Sequence, residues 1–162
     1  MKITNKEGLL WLILGIIYPR ILTCATTLFS TIYMPAKYFD GTMRDVHKQG
    51  LLLHESKHVM QWETDGWSYI FGYIVSSDSR KKYELQAYKI QIQYLLAQGE
   101  YIDVDSWASM INTLYGPFTF ISVEEAKKEI VKEKIEKEFI DEKKKTAESK
   151  GFLKRVFRRK SM

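Results

Sequence analysis

The 162-residue sequence holds one cysteine, three prolines and three histidines. A single cysteine excludes an intrachain disulfide, so the chain does not read as a disulfide-stapled secreted scaffold. Cys24 reads as a small buried hydrophobe, because the sequence offers no base partner that would make it a nucleophile. A membrane-spanning run is missing as well. The strongest apolar stretch, Gly8 to Tyr18, is eleven residues long and stops at Pro19-Arg20, whereas a spanning helix needs about 20. A buried core helix or a membrane-surface contact suits that length. Lys2 and Lys6 precede the stretch in the manner of a signal peptide, but Pro19-Arg20 interrupts the approach to a cleavage site, so export is not favoured. The expected location is cytoplasmic or membrane-associated.

A basic surface is absent from most of the chain. Residues 1–121 carry 11 basic and 11 acidic groups, and residues 122–149 carry 8 and 9. The net charge of +5 arises from residues 150–162, with 6 basic groups and no acidic one. The pI of about 9.1 therefore describes a tail. In helical form that tail separates Phe152, Leu153, Val156 and Phe157 from its cations. Such a pattern suits an anionic membrane surface or an acidic partner, and specific nucleic-acid recognition is not expected.

Two of the three histidines sit in His54-Glu55-Ser56-Lys57-His58, directly after Leu51-Leu52-Leu53. Composition alone gives such a pattern in about 0.4% of chains of this make-up. On a helix, His54 and His58 share a face one turn apart and can hold one zinc ion at roughly 2.0–2.1 Å. Glu55 lies beside the first ligand, where a carboxylate can take a proton from an activated water. Such a site needs a third protein ligand. A third histidine six residues on is excluded, since position 64 is Thr. A carboxylate from a following helix is the other option, and Glu84 supplies one. Glu84, Ala87, Tyr88, Gln91 and Leu95 fall on one helical face, and a small Ala87 allows close approach to the histidine helix.

His54-Glu55-x-x-His58 followed 26 residues after His58 by Glu84-x-x-Ala87 resembles the small gluzincin-type zinc metallopeptidases, especially bacterial and phage members. There the metal helix often ends in Gln, as at Gln61, and the second helix often carries Tyr-Glu-x-x-Ala, as at Tyr83 to Ala87. The resemblance covers about residues 26–98. It implies an α+β, minimal zincin-like fold, mostly helical with a small sheet. It also implies His54, His58 and Glu84 as Zn²⁺ ligands, Glu55 as general base, and a peptide or protein substrate laid along an edge strand. For the group that stabilises the transition state, Tyr88 is the first candidate, with Tyr83 and His47 behind it. A non-catalytic zinc-binding assembly module, docked through the apolar N-terminus and basic tail, is the alternative. A metal-dependent amidase is a third possibility.

The rest of the chain divides accordingly: residues 1–121 as the zincin-like domain, 122–149 as a charged helix, and 150–162 as the tail. Thr26 to Phe39 is rich in β-branched and aromatic residues and reads as a strand or hairpin, with Pro35 suited to an edge. Met43 to Trp62 should contain the metal helix, with Gly50 as its start or a weak point. Ser76 to Ser79 opens the Glu84 helix, which ends near Gly99. Residues 105–115 read as a further helix. Ser122-Val123-Glu124-Glu125 is a capping box that opens a helix to about Ala147. Its apolar stripe is Ala126, Ile130, Val131, Ile135, Phe139 and Ile140.

Overall fold

The computed structural model describes residues 2–17, 19–114, 121–137 and 141. The fold is α+β and mostly helical. Its elements are β1 (Lys2–Asn5), α1 (Leu9–Ile17), β2 (Thr26–Leu28), β3 (Thr31–Met34), α2 (Asp45–Asp65), α3 (Trp67–Val75), α4 (Ser77–Ala97), α5 (Val104–Leu114) and α6, helical over 123–137.

The hairpin expected within residues 26–39 is β2 and β3, antiparallel with Thr27 opposite Ile32. β1 joins the other side of β3 in parallel, Ile3 opposite Ile32. The sheet order is β1-β3-β2, so the hairpin's second strand is central. Pro35 therefore does not lie on an edge strand. It follows β3 and precedes a 3-10 turn at Ala36–Tyr38, where its missing N–H costs no ladder bond. β1 was hidden in the sequence because Lys2–Asn5 is short and largely exposed, without a buried alternating face. Ile32 and Met34 point the sheet's buried face at Val59 of α2, with Leu51 and Leu52 closing the cluster.

α2 begins just after Arg44, whose backbone is extended, and carries Asp45 in its first turn, where acid favours the helix dipole. It stops at Gly66, whose φ of 55° suits glycine. Gly50 is neither its start nor a weak point. It lies inside the helix, and an added Cβ would come within 3.3 Å of Leu95 Cδ2 on α4. Ser76 caps α4 by accepting from Ser79 N at 3.2 Å. Glu100 N to Leu95 O and Gly99 N to Leu96 O, at 3.0 and 3.1 Å, close α4 in a Schellman turn with Gly99 left-handed. The buried face of α4 includes Glu84, Ala87, Tyr88, Gln91 and Leu95, which is the face the spacing predicts.

α6 opens on the expected capping box: Glu125 N donates to Ser122 Oγ at 3.2 Å, and Ser122 N donates to Glu125 Oε2 at 3.1 Å. Ala126 and Ile130 enter the same core as Ile92, Leu95 and Ile111. The stripe differs from expectation. Val131 and Ile135 are exposed, and the buried position after Ile130 is Glu133. Its carboxylate is held by Lys89 Nζ at 2.9 Å and Gln93 Nε2 at 2.8 Å. Phe139, Ile140, the helix beyond them and the tail at 150–162 lie outside the described residues. Among the described residues, no helix is long and apolar enough to cross a membrane.

Candidate metal centre

α2 presents His54 and His58 to α4, and α4 answers with Glu84; all three are buried. His54 Nε2 and His58 Nε2 are 3.2 Å apart. Glu84 Oε2 is 3.5 Å from His54 Nε2, and Glu84 Oε1 is 3.4 Å from His58 Nε2. Ligands at roughly 2.0–2.1 Å from a tetrahedral ion stand about 3.3–3.4 Å from one another. Each of the three separations is thus close to that between neighbouring ligands of a tetrahedral ion, with Glu84 turning a different oxygen to each histidine. Glu84 Oε2 is buried with no hydrogen-bond partner, an arrangement that is costly unless a cation shares the site. This His-His-Glu group can hold a metal ion.

The charges agree with that geometry. Burial disfavours the ionised Glu84 carboxylate, but His58 and His54 together outweigh burial, and the pKa stands well below the ordinary carboxylate value. Burial likewise opposes a charged His58, yet Glu84 lifts its pKa to about 9. Ring orientation is fixed from outside. Gln61 Nε2 donates to Tyr83 O and Gln86 Oε1, each at 3.1 Å, which leaves Gln61 Oε1 to accept from His58 Nδ1 at 2.8 Å. His58 Nδ1 therefore donates to Gln61, and Nε2 faces Glu84. His54 Nδ1 has no hydrogen-bond partner. Its ring is instead packed edge-on against Tyr88, with centroids 4.4 Å apart.

Glu55, one residue from His54, is also buried. Thr27 Oγ1 on β2 donates to Glu55 Oε2 at 2.7 Å. This bond ties the edge strand to the carboxylate. At the far end of β2, Lys6 Nζ donates to Cys24 O at 2.6 Å and to Thr26 Oγ1 at 2.7 Å. Burial lowers the Lys6 pKa to about 8, against the opposing pull of Cys24 and Glu55. Burial raises the Cys24 thiol, which disfavours a reactive thiolate. His54, Glu55, His58 and Glu84 line a cavity of about 490 Å³, walled mainly by apolar side chains such as Leu51 and Ile70.

Two further candidates lie elsewhere. Tyr83 donates its hydroxyl to Asp65 Oδ2 at 2.9 Å on the surface. His47 faces Glu100, with Nε2 3.6 Å from its carboxylate, so it belongs to the surface. A helix spacing of seven residues did not bring it to the site, because α2 passes Leu95 near Gly50 before it reaches Glu84. The sequence pointed to neither Tyr73 nor Thr27, and it named Gln61 without its role. Tyr73 on α3 donates its hydroxyl to Glu84 Oε1, Thr27 holds Glu55, and Gln61 orients His58. Only Gln61 left a signal, three residues after His58 on the same helix.

No protein-family model, no curated protein and no solved structure matches this chain. The fold and site define the class: a mostly helical α+β protein with a buried His-His-Glu group facing a cleft.

Proposed function

We propose that this protein is a small zinc metallopeptidase-like hydrolase of the gluzincin type. The observation that carries the reading is the spacing of His54 Nε2, His58 Nε2 and Glu84 at 3.2 to 3.5 Å on one buried point. Two imidazoles and a carboxylate are a donor set suited to zinc. Zinc held there would polarise a scissile carbonyl and make a water acidic near neutral pH.

The chain's own residues divide the remaining work. Glu55, buried beside His54 and facing the cleft, takes the water's proton and passes it to the leaving amine. Thr27 fixes one carboxylate oxygen and leaves the other for that transfer. Tyr73 and Gln61 hold Glu84 and His58 in place. Tyr88 braces His54 and borders the cleft. The apolar wall excludes bulk water and accepts side chains of a peptide or protein. The edge strand β2 runs beside α2, where an extended peptide can add as a strand.

Glu55→Gln separates catalysis from metal holding. It is expected to keep its zinc and lose hydrolysis of a peptide library by a factor of about 10³ or more. Equal cleavage by the variant and wild type contradicts the role of Glu55. Zinc retention with no cleavage by wild type gives the site to a metal-holding assembly module instead.

A further inference from the structure

We infer that α1 is an interfacial anchor that lays the protein on an anionic phospholipid surface. The nine residues of α1, LLWLILGII, contain no polar side chain. In an ordinary core helix most would be covered. Here Leu9, Leu10, Leu12, Ile13 and Ile16 are 71, 53, 61, 46 and 75% exposed. At 100° per residue these five positions span about 160° of the helix circumference. The opposite side is attached to the domain. Trp11 is buried and packs its ring on Tyr33 of β3, with centroids 4.8 Å apart and the planes tilted by 53°, and Lys6 Nζ lies 4.7 Å from the Trp11 ring. Gly15 admits the Leu22 side chain against the helix. The apolar face is thus held outward by a fixed base, and of the two readings of this run, a core helix or a membrane-surface contact, the exposure favours the second.

Length and charge choose the occupant. Nine residues rise about 14 Å, less than half of a hydrocarbon core of roughly 30 Å, so the helix can lie in a bilayer surface but not cross it. An apolar face without hydrogen-bonding groups suits acyl chains. Residues 150–162 add 6 cations and no anion, interleaved with Phe152, Leu153, Val156 and Phe157. One modest apolar element gives weak, reversible membrane binding, and a polybasic segment is the second signal that makes it stable. A second copy of the chain would offer the same apolar face but the same net charge of +5. It would leave the cationic segment without a match.

The test is co-sedimentation of the full chain with vesicles of phosphatidylcholine, with and without phosphatidylserine. The wild type is expected to sediment with the phosphatidylserine vesicles. Leu9→Gln/Leu12→Gln/Ile16→Gln should lower the partition coefficient at least about tenfold with an unchanged melting temperature, since all three side chains face outward. Deleting 150–162 should remove the preference for anionic over neutral vesicles. A wild type that stays in the supernatant with phosphatidylserine vesicles overturns the inference, as does a triple variant that sediments equally well. A dimer seen by light scattering, lost in the triple variant and without vesicle binding, overturns it in favour of a second copy. These readouts do not use hydrolysis, so they stand or fall independently of the proposed activity.

Discussion

Thr27 and Glu55 show how much of a site rests on single side chains. In the proposed mechanism the Glu55 carboxylate must receive a proton in one direction, which needs a fixed orientation, and the Thr27 hydroxyl at 2.7 Å supplies it. Hydrogen bonds to charged groups contribute about 1.5–3 kcal/mol. Thr27→Val, which keeps the shape and removes the hydroxyl, is expected to lower kcat about tenfold or more. KM and zinc content should change little, and Thr27→Ser should restore most of the loss. A Thr27→Val variant with wild-type kcat removes Thr27 from the proposed mechanism. At this scale the sequence was legible where one helix carries the geometry. His54 and His58 are one turn apart, and Glu84 shares a face with Ala87 and Tyr88, so their common side follows from the 3.6-residue period. Thr27 and Tyr73 were not legible, because each reaches the site from an element whose position depends on tertiary packing. A turn near Gly66 fixes where Tyr73 points, and no local pattern encodes that.

The contact between α2 and α4 brings the two halves of the site together. It is close because Gly50 meets Leu95 and Gln91 and because Ala87 on the buried face of α4 is small and fully covered. Helix axes separate when larger side chains fill such a contact. Gly50→Leu is expected to cost about 1–3 kcal/mol by denaturant midpoint and to weaken metal affinity, since the histidines and Glu84 sit on opposite helices. A variant as stable as wild type would show that the seam tolerates bulk and that close approach does not set the geometry. The role of Ala87 could be read from its helical spacing, whereas Gly50, taken alone, resembled a breaker. Its partner Leu95 lies 45 positions away, and only the packed pair explains the glycine.

For the whole molecule, composition changes near residue 121 from neutral globular to highly charged, which suggests a division of the chain there. The core runs through that point. Ile121, Ala126 and Ile130 pack with Ile92, Ile102 and Ile111, and Glu133 is buried on Lys89 and Gln93. Ala126 and Ile130 belong to the apolar stripe read from the sequence, but so narrow a stripe does not say what it packs against. Ile130→Ala is expected to destabilise the protein by about 2–5 kcal/mol, read as a lower midpoint in urea. A loss below about 0.5 kcal/mol, the range of ordinary surface substitutions, would mean α6 contributes little to folding. The N-terminal run tells the converse story. Its hydrophobicity suits a core helix or a membrane-surface contact, and the structure leaves α1 mostly uncovered, with Trp11 and Gly15 its buried positions among the described residues.

The central claim is that His54, His58 and Glu84 share one zinc ion. Elemental analysis of protein purified without chelators tests it most directly. The account predicts one zinc per chain, lost in His54→Ala/His58→Ala and sharply weakened in Glu84→Ala. Wild-type protein with no stoichiometric metal, or a double-histidine variant that keeps its full complement, would contradict it.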